Sequence, residues 1–216
     1  MRTNQDYKEA ALAALNGNWT PAVLATLVYI AVAALCTGTA ELPVSVSKVF
    51  ASASFLVAVL IINPLEVGYA NAIRLFYNQR QNNVVENTFK IPLSDYGRVV
   101  ITMLLVAVKT FLWALLLIIP GIIKTFAYSM TPFILVENPG MSASEAIRRS
   151  EEMMRGHKFD LFYLYLSFIG WFILSVLTCG IGFFWSIPYS QTAVVAFYND
   201  LKAENGFDVP DATIVG

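Results

Sequence analysis

Apolar residues gather in long runs, at about 20–38, 50–73, 98–119, 121–136, 159–178 and 181–200. Runs of roughly 20 apolar residues are what a helix needs to cross a hydrocarbon layer ~30 Å thick. Between and before them the pattern turns one-sided. In "MRTNQDYKEAALAALNGNW", Tyr7, Ala11 and Leu15 share one helical face with Lys8 and Glu9 off it. The spacing predicts a short interfacial helix over 1–19, ended by Gly17 and anchored by Trp19. In "NPGMSASEAIRRSEEMMRGHK", Ser142 precedes Glu145 by three residues, a helix-start pattern, and Gly156 supplies a stop. Ala143, Ile147, Ser150 and Met154 then fall on one side, predicting a cytoplasmic amphipathic helix within 137–158 that lies along the inner surface. The tail, 201–216, carries turn formers and acids and is expected to be loose.

The stretch "LLLIIPGIIKTFAYSMTPFIL" at 115–135 decides how many times the chain crosses. One helix over 98–136 would be ~58 Å long, nearly twice the hydrocarbon thickness. Charge arbitrates. With six spans and the N-terminus inside, Arg2, Lys8, Arg74, Arg80, Lys90, Arg98, Arg148, Arg149, Arg155, Lys158 and Lys202 face the cytoplasm, while only Lys48 faces out. That distribution follows the positive-inside rule. A five-span chain would move Arg148, Arg149, Arg155 and Lys158 outside. Pro120 and Gly121 are therefore expected to form an outer turn. The fold class predicted is all-α: a polytopic membrane protein of about six helices in three hairpins, with short amphipathic interfacial helices. It is organised as one domain over 1–216, with 20–136 holding the first four spans and 159–200 the last two. The segment 121–136 gives only ~24 Å of helix, so full spanning and half-insertion both remain open.

Composition sharpens the class. The 216 residues are 57% hydrophobic and 13% charged, with a mean hydropathy of +0.61, where soluble domains carry roughly a quarter charged residues. The 14 basic and 15 acidic residues leave no basic stripe for nucleic acid. A single histidine, His157, gives no zinc ligand set, Asp160 stands alone at an inner boundary, and no glycine-rich phosphate loop is present. The expectation is a protein without catalytic, metal or cofactor residues and without a nucleotide partner. Cys36 and Cys179 fall near outer span ends, either as small apolar residues or as a pair.

Polar groups at span depth are the candidates that remain: Asn63, Glu66, Lys109, Lys124 and Gln191. An ionisable group inside a span normally faces a partner or a wet cavity. Counting helical rise puts Glu66 ~12 Å in from Arg74 and Lys109 ~16 Å in from Arg98, which predicts a Glu66–Lys109 pair with Lys124 as second choice. A structural pair fixing registry and a ligand or ion site are both open. Pro64, just before Glu66, frees a carbonyl that needs a partner of its own. Arg148, Arg149, Arg155 and Lys158 are candidate inner-surface contacts to anionic headgroups, though Glu145→Arg149 and Glu151→Arg155 spacing predicts self-pairing. Small residues at 31–34, 51–55, Ser167 and Gly170 suit helix packing. Pro64 with Tyr69 and Ala70, Pro120 with Ala127 and Tyr128, and Pro188 with Tyr189 and Ala193 hint at a decayed repeat.

The run "ENPGMSASEAIRRSEEMMRGHKFDLFYLYLSFIGW", followed by "CGIGFFWSIPYSQTAVVAFYNDL", resembles the C-terminal signature of the DUF975 family of bacterial integral membrane proteins. "AALAALNGNW" and "IIPGIIKTFAYSM" fit the same pattern. The family is similar in turn to the membrane domain ahead of some glycerophosphodiester phosphodiesterases, whose catalytic domain has no counterpart here. The resemblance implies a multi-pass protein of the bacterial cytoplasmic (inner) membrane, both termini inside, and supplies no functional residues. The favoured expectation is a non-catalytic module that binds membrane lipids or a partner, either another membrane protein or a second copy. The alternative is a small transporter or channel with a polar pathway around Glu66 and Lys109.

Overall fold

The computed structural model describes residues 2–37 and 58–206, and the side chains of 35–37, 58, 91 and 92 lie outside the description. Lys48, the outer connection at 39–49 and the small-residue stretch at 51–55 fall outside it, as does the side chain of Cys36. Every described element is helical. α1 (Asn4–Leu15) and α2 (Trp19–Thr37) are followed by a π-helical turn (Ala58–Ile62), α3 (Asn63–Gln79), α4 (Val84–Ser94) and α5 (Tyr96–Leu116). Then come α6 (Ile118–Tyr128), α7 (Thr131–Glu137), α8 (Ala143–Met153), α9 (Lys158–Ser167), α10 (Ile169–Leu177) and α11 (Phe183–Glu204).

Among the described residues, three stretches are long and apolar enough to cross a membrane: Tyr96–Leu116, Ile118–Glu137 and Lys158–Leu177. A fourth is added if α1 and the start of α2, bent by 100°, count as one broken span. Apolar exposure is plain at the α5–α6 tip, where Leu115, Leu116, Leu117, Ile118 and Ile119 are all strongly exposed. In water so large an apolar patch would be a liability; against acyl chains it is the natural surface.

The chain does reverse after α5, but at Leu117, whose extended backbone (φ −159°, ψ 142°) is the link between two helices. The expected turn at Pro120 and Gly121 lies three residues too late. Pro120 sits instead in the first turn of α6, where a missing N–H costs nothing. Gly121 serves close approach: a Cβ there would lie 2.7 Å from Cα and Cβ of Ala114. Seven residues apart in one straight helix would be ~10.5 Å along the axis, so this contact requires the two helices to fold back on each other. Gly182 repeats the device after the next tight turn, with Ser175 Cα 2.7 Å from where its Cβ would be.

Two of the crossing stretches are broken. Ser129 and Met130 interrupt Ile118–Glu137, and Phe168 interrupts Lys158–Leu177. Each break is covered by a neighbour. Ser150 Oγ donates to the Ala127 carbonyl at 2.9 Å and accepts from the Met130 N–H at 3.2 Å. Lys8 Nζ donates to the Ser167 carbonyl at 2.6 Å and lies 4.9 Å from the Phe168 ring centre. The π-turn marks a third irregular point, directly ahead of Asn63 and Pro64.

The amphipathic helix expected within 137–158 is present as α8. The Ser142 cap forms as expected, accepting from the Glu145 N–H at 3.3 Å. α8 then packs on α5, α6 and α7, burying Ala146, Ile147, Ser150 and Met153. It is held there because the α6–α7 break needs Ser150. A further difference is α4, unforeseen in the segment between the second and third runs. It packs against α3, and Tyr96 just beyond it donates its hydroxyl to the Leu60 carbonyl at 2.7 Å.

Polar contacts knit the helix ends. Glu137, closing α7, accepts from Arg74 Nη1 at 2.9 Å, Tyr198 Oη at 2.7 Å and Lys202 Nζ at 2.8 Å. Arg98 donates to the carbonyls of Leu135, Asn138 and Met141. α1 docks on α11 through the expected face, with Tyr7, Ala11 and Leu15 buried. Arg2 pairs with Asp200 at 2.6 Å, and Tyr7 donates to the same carboxylate at 3.0 Å.

Candidate functional site

A chamber of about 330 Å³ opens where the irregular helices meet. Helical periodicity selects its walls. From α3 come Asn63, Glu66, Val67 and Ala70, and from α5 Met103, Val106, Ala107 and Thr110, each set being one stripe at i, i+3, i+4 and i+7. The α6–α7 break adds Thr125, Tyr128, Ser129, Pro132 and Phe133, while α9 and α11 add Tyr165, Gln191 and Val194. Tyr69 completes the α3 wall; its hydroxyl is 2.7 Å from Thr26 Oγ1 and its ring stacks on Tyr29 at 5.3 Å.

Pro64 explains how Glu66 arrives there. Proline supplies no N–H to the carbonyl four residues back, Leu60, and Tyr96 takes that carbonyl instead. The helix proper starts at Asn63, and its first turn aims Glu66 at open space inside the chamber. Among the described residues Glu66 has no ion-pair or hydrogen-bond partner. The phenols of Tyr29 and Tyr165 are the groups close enough to interact with its charge.

Of the five polar residues predicted at depth, the fold therefore brings together Asn63, Glu66 and Gln191. The predicted cations do not join them. Lys109 is half-buried on α5 but sits beside the lining stripe, not on it. Counting along the helix could not give its azimuth. Lys124 turns the other way. It pairs with Glu151 of α8 and lies 4.9 Å from the Trp113 ring centre and 5.7 Å from that of Tyr128. This also removes the predicted Glu151–Arg155 pairing.

The inner-surface candidates scatter. Arg148 is exposed and pairs with Glu152 at 2.7 Å. Arg155 is exposed in the turn after α8, Lys158 opens α9 half-buried, and Arg149 is half-buried within reach of the field at Tyr198. Cys179 is an exposed free thiol in the α10–α11 turn.

Beside the chamber runs an apolar groove of about 500 Å³ along α6, α9 and α10. Phe126, Phe162, Leu166, Ile169 and Phe172 form it, and Thr125, Ser129 and Tyr165 belong to both spaces. Sequence reasoning did not assign Thr125, Ser129 or Tyr165 to this space, although Pro132 in the first turn of α7 marks the break that brings Thr125 and Ser129 there. The repeat did mark Tyr69 and Tyr128, two of the chamber's aromatic walls. The arrangement offers a polar compartment with one acid, joined to an apolar track.

Residues 115–205 match the family described as "Protein of unknown function (DUF975)". That match takes in the α5–α6 tip, both broken stretches, α8 and α11, and with them every chamber residue from Thr125 to Gln191. Neither the curated proteins nor the solved structures contain a match to the chain.

Proposed function

We propose that this chain, a DUF975 protein over residues 115–205, is a non-catalytic membrane module that binds an amphiphilic ligand between its helices. The observation that carries this reading is the shared wall. Thr125, Ser129 and Tyr165 line both the polar chamber and the apolar groove, as a head-and-tail molecule requires. Ligand sites of membrane proteins commonly sit at broken helices lining a cavity, and three irregular points surround this one. A photoactivatable amphiphile carrying its reactive group on the chain is expected to label the 125–129 and 162–172 segments of the reconstituted protein. Label spread evenly over the exposed α5–α6 tip, with none in the groove, would overturn the reading.

The topology proposed with it is six spans in three hairpins in a bacterial inner membrane, with both termini and 137–158 inside. The contacts among Arg2, Arg74, Arg98, Glu137, Asp200 and Lys202 support it, because they join helix ends that the charge bias assigns to one side. With Cys36 replaced by serine, Cys179 should react with an impermeant thiol reagent added to intact cells. A cysteine at Arg155 should not. The reverse pattern sinks this orientation.

One observation favours the transport alternative: Glu66 is unpaired in a cavity bounded by broken helices. Its pathway would use Glu66, Asn63 and Gln191 without Lys109. Cation flux in proteoliposomes that disappears in Glu66→Gln would select it over the binding module.

A further inference from the structure

We infer that the ligand is a monocationic amphiphile: an ammonium head in the chamber against Glu66 and a single hydrocarbon chain along the groove. The inference rests on the amphiphile-binding reading and adds the sign of the head's charge. Among the described residues Glu66 is the one charged residue lining the chamber, and no lysine, arginine or histidine lines either space. Of the cations on α5 and α6 that fall among the lining residues in sequence, Lys124 is engaged by Glu151 and Lys109 lies beside the lining stripe, not on it. Glu66 is exposed to the chamber space with no counter-charge on its described walls, and a positively charged head supplies the missing partner.

The rest of the wall fits the same chemistry. Tyr128, Tyr165 and Phe133 present aromatic rings beside the acid, the surface on which an ammonium is stabilised by ring quadrupoles. Asn63 and Gln191 offer amide oxygens to an N–H donor. An anionic head would meet Glu66 with no cation to offset it. A phospholipid phosphate would likewise find no basic partner in either space, so the fitting class is a simple alkylammonium. The tail compartment is apolar on both sides, with Phe126 and Phe162 edge-to-face at 5.8 Å on its floor. It begins where the chamber ends, at Tyr165.

The test uses the full chain in a neutral maltoside detergent and three twelve-carbon probes: dodecylammonium, dodecanol and dodecanoate, all below their micellar concentrations. Ligand-induced shifts of the melting temperature give apparent affinities. The cationic probe is expected to bind saturably and at least tenfold more tightly than the other two. Glu66→Gln should erase that preference and leave dodecanol unchanged. Comparing the probes on the unmodified protein needs no variant to fold. Equal binding of all three probes, abolished by Leu166→Trp in the groove, would overturn the cationic inference and keep the amphiphile reading. Absence of saturable binding by any probe would overturn both.

Discussion

Replacing Gly121 with alanine tests the α5–α6 hairpin at its tightest point. The added methyl would lie 2.7 Å from Cα and from Cβ of Ala114, where non-bonded carbons settle at about 3.5–4.0 Å. Ala114 Cα is backbone, so no rotamer change relieves the clash and the helices must part by roughly 1 Å. Overpacking of this kind costs about 1–3 kcal/mol. Pro120→Ala is the control. In the first turn of α6 it removes no needed contact, and loosening the unfolded chain should cost only about 0.4–1 kcal/mol. Adding Ala114→Gly to Gly121→Ala removes the Cβ collision and leaves that with Cα, so recovery should be partial. Denaturant titration of the purified chain in detergent, followed by circular dichroism, gives all three values. A Gly121→Ala variant within about 0.5 kcal/mol of wild type, or a Pro120→Ala variant that suffers more, refutes the hairpin argument.

Ser150→Ala should cost about 1–3 kcal/mol, because it strands the Ala127 carbonyl and the Met130 N–H in a buried break; the same titration measures it. A double-mutant cycle on Lys124 and Glu151 should give a coupling below about 1 kcal/mol that shrinks with salt, since Glu151 is well exposed. Lys124→Ala alone should cost more than that coupling, by losing its seat on Trp113 and Tyr128. At the N-terminus, the Thr3 hydroxyl and then its backbone N–H hold the Asp6 carboxyl below the usual range. A depressed folded pKa stabilises above the unfolded value of about 3.9 and is lost as pH falls through the folded one. α1 should therefore loosen only in strong acid, followed by Trp19 fluorescence, and Asp6→Asn should flatten that transition.

Much of this was legible because it is local. The Tyr7, Ala11 and Leu15 face, the Ser142 cap and the need for a partner at the carbonyl freed by Pro64 each follow from spacing within a few residues. So does a reversal near 115–121, which charge balance demanded; its position slipped because proline is as comfortable inside a first helical turn as in a loop. Side-chain partners across helices were not legible. Glu151 has an arginine four residues on, yet it binds Lys124, 27 residues back. Glu66 and Lys109 count to like depths along their helices, but depth fixes only one of the two coordinates that a helix surface has. Pro132 marks the break at Ser129 locally, but what covers the breaks at Ser129 and Phe168, Ser150 and Lys8, lies elsewhere in the chain.

The grip of α1 on α11 carries a consequence for how the molecule is made. Arg2 and Asp200 are separated by 198 residues, so at about 5–20 residues per second roughly 10–40 s pass between their emergence from the ribosome. Throughout that interval Tyr7, Ala11 and Leu15 have no α11 to cover them, and Lys8 has no Ser167 carbonyl to bind. The amphipathic helix must wait, its buried face uncovered, until α11 has been made. Its docking then closes α1 onto a helix made 198 residues later, which makes α1 a latch set only on chains translated through Asp200.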